Sequence, residues 1–400
     1  MKAVILAAGE GTRMRPLTYT RPKVMLPIAN KPILEHLLLE ASKAGVMDFV
    51  FIVGYRDEQV RDYFGDGEKW GVSIEYCNQR KQAGTADALR MVEGMINGKF
   101  LTINGDIIVK SSDISRLIAK DENTMCVIEV EDVKNLGVVE IKGDRVLRIH
   151  EKIAAPPSNL ANTGLYLFTP EIFAAIAETA LSTRGEYEIP DAIQLMIDKK
   201  NNVSFMIPSY WLDVSYPWDL LKANESLMSH LEGKIQGEIE PNAVLKGTVS
   251  VGKNTVVRSG SYIVGPVIIG DNCEIGPNCY IRPSTAVGDN CHIGASVEVK
   301  NSIIMRETKI PHHNYVGDSV IGERCNLGAG TKIANLRLDK NNVTAAGIDT
   351  KRRKLGAILG DEVQTGINSC INIGTVIGNN VFIGPGALAH GTIAPRSKIL

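Results

Sequence analysis

Two stretches hold side chains whose types and spacing could do chemistry. The first is "LAAGEGTRMRPLTYTRPKVMLP" at 6–27. Gly9 and Gly11 let the backbone turn tightly and aim amides at an anion, and Arg13 and Lys23 add two cations. The string is not G-x-G-x-x-G, because position 14 is Met, and the chain holds no G-x-x-x-x-G-K-[ST]. A glycine pair alone reads equally as a tight turn, whereas the whole string through "RPK" is far more specific. Further on, "NGDIIV" puts Asp106 at a strand end, where a carboxylate can hold Mg²⁺; alone it reads as well as a helix cap or turn residue. The second stretch, "KIPHHNYVGD" at 309–318, sets His312 beside His313 in a chain with only seven histidines. Imidazole titrates near working pH and suits proton transfer. The hydrophobic rhythm around it has no evident need for imidazole, so the pair marks either a second active site or an ornament on a scaffold.

The elements that must position these residues follow two grammars. In the first half "AVILAA", "DFVFIVG", "VSIEYCN" and "FLTING" are short, apolar and β-branched, as buried parallel strands should be. Between them "PILEHLLLEASKAG" is an amphipathic helix with Pro32 near its start and Gly45 as its stop, and "TADALRMVEGM" and "DISRLIAK" also read as helices. The expected fold is a Rossmann-like α/β domain with a mostly parallel sheet, binding ligands at the carboxyl ends of its strands.

The second half keeps a period of six. Ile239, Leu245, Val251, Val257, Ile263, Ile269, Ile275, Ile281, Val287, Ile293 and Val299 recur without a gap. Such a period fits neither a helix nor a simple hairpin; it fits a parallel β-helix with aliphatic residues stacked inside. The rhythm slips at Ile304 and Ile321, breaks over 335–357 in a stretch rich in Lys and Arg, and returns at Ile371. A long interruption of a solenoid suggests a functional loop. All three Trp lie before residue 219, while 23 of the 38 Gly lie after residue 232. With "YPWDLLKANESLMSHLEGK" as a connecting helix, the expected domains are 1–232 and 233–400.

Composition narrows the function classes. The chain is 44% hydrophobic and 22% charged with net charge −1, so nothing favours a nucleic-acid backbone or an anionic membrane. No run approaches the roughly 20 apolar residues of a membrane span. The start, read as a first buried strand rather than a signal peptide, implies a cytoplasmic protein. The seven cysteines show no metal-ligand spacing. Cys273, Cys279, Cys291 and Cys325 each fall four residues after a repeat aliphatic, which predicts buried reduced thiols.

The glycine-rich string followed by a P-K element resembles the signature of the sugar-phosphate nucleotidylyltransferases, and the resemblance runs over the whole first half. It implies attack of a sugar 1-phosphate on the α-phosphate of UTP or dTTP with release of pyrophosphate, chemistry that needs positioning and charge neutralisation. Arg13 and Lys23 would hold the triphosphate, with Leu6, Ala8, Gly9 and Gly11 in its loop. Asp106 and, in "WLDVSYPWDL", Asp213 match the two metal carboxylates, implying Mg²⁺. "QRKQAGTADAL" resembles the base-reading segment, through Gln79, Gln82, Gly84 and Thr85. "LGVVE", "HEK" and "NTGLY" match sugar-binding elements, through Gly137, Glu151, Lys152 and Asn162.

The six-residue rhythm says only β-helix, and in several similar nucleotidylyltransferases such coils serve assembly or regulation. The polar residues of 280–336 shift that reading. They resemble, element by element, the acetyltransferase domain of the bacterial bifunctional glucosamine-1-phosphate acetyltransferase and uridylyltransferase, and archaeal two-domain proteins with the same order of parts. The resemblance implies a left-handed β-helix and acetyl-CoA as donor. His312 would be the general base, Arg282 and Lys300 the sugar-phosphate cations, Tyr315, Asn326 and Asn335 substrate contacts, and Ala329 a backbone contact to acetyl-CoA. His313 has no counterpart and reads as a neighbour. Leu336 stands where the bacterial pattern has Tyr, which bears on amino-sugar specificity. The loop "RLDKNNVTAAGIDTKRRK" is longer than the bacterial one, with Lys354, then Lys340, as phosphate-binding lysine; "KRRK" reads equally as a solvated loop or a coenzyme A contact. The resemblance also implies a homotrimer with acyl-transfer sites between subunits. The expectation is thus a bifunctional enzyme of UDP-N-acetylglucosamine synthesis. The alternatives are a glucose-1-phosphate thymidylyl- or uridylyltransferase with a scaffold coil, and a catalytically silent regulatory subunit.

Overall fold

The structure, a computed structural model, describes residues 1–133, 136–151 and 157–400. The chain divides into two compact units. The first holds Met1–Glu10, Pro22–Met25 and Ile33–Asp213; the second holds Gly11–Arg21, Leu26–Pro32 and Val214–Leu400. Two short segments of the first fifty residues therefore group with the C-terminal unit.

The first unit is built on nine strands: β1 (Lys2–Ala7), β2 (Asp48–Val53), β3 (Ser73–Asn78), β4 (Phe100–Asn104), β5 (Thr124–Glu129), β6 (Gly137–Lys142), β7 (Arg145–Glu151), β8 (Leu160–Phe168) and β9 (Ser204–Met206). Their order in the sheet is β3-β2-β1-β4-β8-β5-β9-β7-β6. The apolar strands read from the sequence are β1 to β4, all mutually parallel. Side chains alternate along them. Ala3, Ile5, Phe49 and Phe51 pack on one face with α1 (Ile33–Lys43), α2 (Asp57–Phe64) and α4 (Ser111–Ile118). Val4, Val50 and Ile52 pack on the other with α3 (Thr85–Arg90), α5 (Glu171–Glu178) and α6 (Ile189–Asp198). Burial on both faces explains the continuous apolar runs.

The sheet is mixed rather than mostly parallel. β8 runs antiparallel to β4 and β5, and β7 antiparallel to β9 and β6. The signal lay in "EIKGDRVLRI": β6 and β7 form a hairpin closed by Gly143 and Asp144, with Gly143 at φ 62°.

In the second unit, α7 (Asp219–Met228) leads into three parallel sheets of nine, eight and eight strands. Consecutive strands join successive sheets, so every third strand returns to the same one, an arrangement consistent with a β-helix. The six-residue positions fall where that requires: Ile239 pairs with Val257, Val257 with Ile275, Ile275 with Ile293 and Ile293 with Ile310. These aliphatics form one buried core with Cys273, Cys279, Cys291 and Cys325, all free thiols. Asn254, Asn272 and Asn290 sit at φ 55°, 55° and 57°, a left-handed conformation that Asn adopts at less cost than most side chains.

Both slips in the rhythm, Val299 to Ile304 and Val316 to Ile321, occur between the second and third sheets. The interruption leaves the same corner. It starts after Ile333 in the second sheet and ends at Ala357–Leu359 in the third. Thr344–Ala345 pairs antiparallel with Ile348–Asp349, and Leu336 bridges Lys354 at its base.

Candidate functional sites

In the first unit the loop after β1 is fixed through its carbonyls. Leu6 O accepts Gly105 N at 2.9 Å, and Ala8 O accepts Tyr55 N at 3.2 Å and Gln82 Nε2 at 2.9 Å. Gln79 is buried and its Nε2 donates to Gly84 O and Asp87 Oδ2, both at 3.0 Å. Gly84 has φ 110°, and a Cβ there would meet the Tyr187 backbone, while Thr85 Oγ1 accepts Ile189 N at 3.0 Å. These contacts knit the segment 79–85 to the loop before α6 and to the glycine-rich turn.

Asp106 follows β4 in the turn before the short strand Ile107–Val109. That strand pairs antiparallel with Trp211–Asp213, placing Asp213 opposite Ile107. Two carboxylates more than a hundred residues apart are thus brought to adjacent backbone positions. The buried Lys23 donates to Asp106 Oδ2 at 2.5 Å. A Cβ on Gly105 would come 2.8 Å from Leu6 O and 3.0 Å from Val24 Cγ1, so glycine lets the turn carrying Asp106 sit tight against β1. Among the described residues no group of three or more His, Cys, Asp or Glu forms a metal cage. Two carboxylates fit the donor chemistry of Mg²⁺, which takes one or two carboxylates and completes its shell with water and phosphate oxygens.

Gly137, Glu151 and Asn162 converge through the β6–β7 and β6–β8 pairings. A Cβ on Gly137 would collide with Glu151 Oε1 and lie 3.7 Å from Asn162 Cβ. Arg184, which the motif reading missed, reaches Glu151 Oε2 at 3.4 Å and is gripped by the buried Glu188. Lys152 lies outside the described residues.

In the second unit the exposed Arg13 lies over the Tyr216 ring at 5.6 Å, and Tyr216 stacks on Trp218 with centroids 4.9 Å apart.

The coil carries a polar ledge at the corner between its second and third sheets. Lys300 Nζ donates to Asp318 Oδ2 at 2.8 Å. Asn335 Nδ2 donates to the same oxygen at 2.5 Å and to Tyr315 Oη at 3.1 Å. One coil back, Arg282 pairs with Glu298 at 2.9 Å and lies over the Tyr280 ring at 5.6 Å. Asp318 is buried at 2% exposure and was not singled out from the sequence: the coil is one residue short here, so Lys300 pairs with Gly317 and Asp318 stands one position beyond it. Asp318 N donates to Lys300 O at 2.9 Å, as that register requires.

His312 ends the strand Lys309–His312 in the first sheet and is exposed. His313, at φ 51°, turns the corner into the second sheet, where Tyr315 begins the next strand. The two histidines thus part: His313 serves the turn, its carbonyl taking Lys332 Nζ, while His312 faces outward. His312 O accepts Gly330 N at 3.0 Å, tying it to the turn that carries Ala329. Asn326 is exposed on the same sheet as His312, away from the ledge. Lys354 is exposed at the base of the loop, next to Leu355, whose N donates to Asn335 O at 3.1 Å. Within one chain, then, the structure gathers Arg282, Lys300, Tyr315 and Asn335 at one corner and sets His312 and Ala329 at the preceding one.

A buried lysine and two carboxylates at the end of a parallel half-sheet, in a chain that continues into three parallel-stranded sheets, mark an α/β protein with a repeat domain. Comparison with known proteins agrees. A nucleotidyl transferase family model matches residues 2–230, and the GMPPB C-terminal domain model matches residues 263–382. The "Bifunctional protein GlmU" of Methanocaldococcus jannaschii is 42% identical over 404 residues, covering 100% of this chain and 97% of the relative. The "Bifunctional sugar-1-phosphate nucleotidylyltransferase/acetyltransferase" of Sulfurisphaera tokodaii is 40% identical over 98% of this chain and 97% of its own length. A solved Bacillus anthracis chain, described as a glucose-1-phosphate thymidylyltransferase in complex with sucrose, is 30% identical with TM-score 0.54; the match covers 58% of this chain and 98% of that one. The chain belongs to the nucleotidyl transferase family, in its bifunctional sugar-1-phosphate nucleotidylyltransferase/acetyltransferase branch. Among the described residues no helix is long and apolar enough to cross a membrane.

Proposed function

We propose that the protein makes UDP-N-acetylglucosamine in two steps, acetylating glucosamine 1-phosphate on the coil and joining the product to UTP on the α/β unit. Domains of 1–232 and 233–400 divide the two activities. Both donors, acetyl-CoA and UTP, are cytoplasmic metabolites, which suits a cytoplasmic enzyme without nucleic-acid or membrane partners.

In the nucleotidyl step Asp106 and Asp213 would hold Mg²⁺, which when bound neutralises phosphate charge at the α-phosphorus. Lys23, released from Asp106, and Arg13 stabilise the negative charge of the transferring group. The amides around Gly9 and Gly11 take the phosphates, and the Gln79–Thr85 segment the base. Gly137, Glu151, Lys152 and Asn162 hold the sugar, whose phosphate oxygen attacks the α-phosphorus as pyrophosphate leaves.

In the acyl step Arg282 and Lys300 fix the phosphate of glucosamine 1-phosphate, and Tyr315, Asn326 and Asn335 its sugar. His312 takes a proton from the 2-amino group as nitrogen attacks the thioester carbonyl. The carbon–sulfur bond then breaks, the coenzyme A thiolate leaves and is protonated, and the amide remains. Ala329 and Lys354 lie on the acetyl-CoA side. A left-handed coil assembled as a trimer brings His312 of one copy to the ledge of another.

The observation that carries this reading is the ledge itself. A coil used only for assembly has no call for Lys300, Asp318, Asn335 and Tyr315 linked at one corner, beside the point where its repeat is interrupted. The test follows free thiol from acetyl-CoA on addition of glucosamine 1-phosphate, and pyrophosphate from UTP with N-acetylglucosamine 1-phosphate. His312→Ala should lower thiol release by about 10²-fold or more and leave pyrophosphate release intact. No thiol release by the unmodified protein, with glucosamine or galactosamine 1-phosphate, would reduce the coil to a scaffold.

A further inference from the structure

The ledge has a support outside the coil. Glu225 on α7 accepts through Oε1 from Asn301 Nδ2 at 2.9 Å and from Arg352 Nη2 at 2.7 Å. The same Asn301 Nδ2 donates to Asp318 Oδ1 at 2.9 Å. An amide nitrogen carries two hydrogens, so Asn301 gives one to each carboxylate. Asp318 uses its other oxygen for Lys300 and Asn335. Charge therefore alternates along one line: Arg352, Glu225, the Asn301 amide, Asp318, Lys300. Asn301 stands at φ 45° in the corner after Lys300, and its Oδ1 is buried with no partner among the described residues. Its orientation is therefore set by its two N–H donors, and one of them is directed by Glu225.

We propose that Glu225 is a positioning residue for acyl transfer. Through Asn301 it fixes Asp318, and so fixes where Lys300 presents its ammonium to the sugar phosphate. The same carboxylate also takes Arg352 at the base of the loop that interrupts the coil, which holds Glu225 in place. The inference rests on the acetyltransferase reading of the ledge. Without Glu225 the Asn301 amide loses one acceptor and can rotate away from Asp318. Lys300 then keeps a counter-ion that is itself less well held. That weakens binding of the phosphate before and during reaction alike, so KM rises while kcat holds.

The test uses the full chain with glucosamine 1-phosphate and acetyl-CoA. Glu225→Ala should raise KM for glucosamine 1-phosphate about five- to tenfold with kcat within about twofold, and leave pyrophosphate release unchanged. Glu225→Gln, which keeps an acceptor for Asn301, should bring that KM back to within about twofold of the unmodified protein. Asn301→Ala should match Glu225→Ala, and the double variant should add nothing further. If Glu225→Ala fails to fold, Asn301→Ala carries the same comparison. An unchanged KM, a parallel loss of both activities with a lowered Tm, or additive effects in the double variant would each overturn the assignment. An unmodified protein that acetylates nothing would remove the function and the inference together.

Discussion

Two lysine–aspartate pairs mark the two ends of the chemistry, and they are built differently. In the α/β unit Lys23 meets Asp106 at 2.5 Å, with the lysine side chain 10% exposed and the aspartate 30%. On the coil Lys300 meets Asp318 at 2.8 Å, and the exposures reverse to 18% and 3%. Asp106 is the open partner, in a turn whose next residue pairs with Asp213. Asp318 is the closed partner, already held by Asn301 and Asn335. In one pair the acid is the more exposed partner and in the other the base is. Identical residue types at similar distance thus leave the acid open in one pair and the base open in the other.

The contrast is broken most severely at the open pair. Asp106→Asn keeps the shape and removes the charge that would hold Mg²⁺. Uridylyl transfer should fall about 10²- to 10³-fold, measured by pyrophosphate release, with acetyl transfer nearly unchanged, and Tm should fall as well because the buried Lys23 loses its counter-charge. Chelating divalent cations from the unmodified protein should reproduce the same split. If Asp106→Asn instead unfolds the α/β unit, the pair is structural and the contrast with Asp318 disappears.

At the closed pair the larger effect should fall on stability. Asp318→Asn leaves the Lys300 ammonium part-buried without its counter-charge and costs on the order of 3 kcal/mol, read by denaturant unfolding. Acetyl transfer falls with it, because Lys300 and Asn335 lose a common anchor, while pyrophosphate release at a temperature where the protein remains folded should persist. A variant with full stability and impaired acetylation would mean that Asp318 contacts substrate directly.

How much of this was legible in the sequence follows from how far apart the partners lie. β1 to β4 are continuous apolar runs, and their carboxyl ends carry the glycine turn and Asp106, so that half of the site could be read locally. The six-residue rhythm likewise placed the buried aliphatics and thiols of the coil. The mixed half of the sheet was missed because β8 and β5 pair across some forty residues and announce themselves only through the β6–β7 turn. Asp318 was masked by the slip, which shortens the coil from Val299 to Val316 to seventeen residues and sets Gly317, not Asp318, beside Lys300. Glu225 was out of reach: it meets Asn301 at a separation of 76 residues and Arg352 at 127, and no local pattern encodes either contact. Arg184 was hidden for the same reason, being defined by Glu151 and Glu188 rather than by a motif.

The regular coil gives the comparison its lower limit, a buried ionisable group with no cation beside it. Asp318 is buried among three N–H donors, whereas Cys273 is buried facing carbonyls, with Sγ 3.1 Å from Gly288 O and 3.5 Å from Asp271 O. Burial pushes the Cys273 thiol up to about 11, from an ordinary value of 9.0. A folded pKa above the unfolded one means that the folded state favours the neutral thiol. The contribution is complete below pH 9, where both states are protonated, and is lost as pH rises through 11, because the unfolded thiol ionises first. At pH 10 the stability of the coil should therefore be lower than at pH 8 by about 1 kcal/mol on account of this thiol alone. Cys273→Ala should weaken packing at both pH values yet flatten that difference, in paired denaturant titrations at pH 8 and pH 10. An equal fall in parent and variant would mean that the thiol ionises in place, and that burial in this coil excludes charge only where the shape of the ledge demands it.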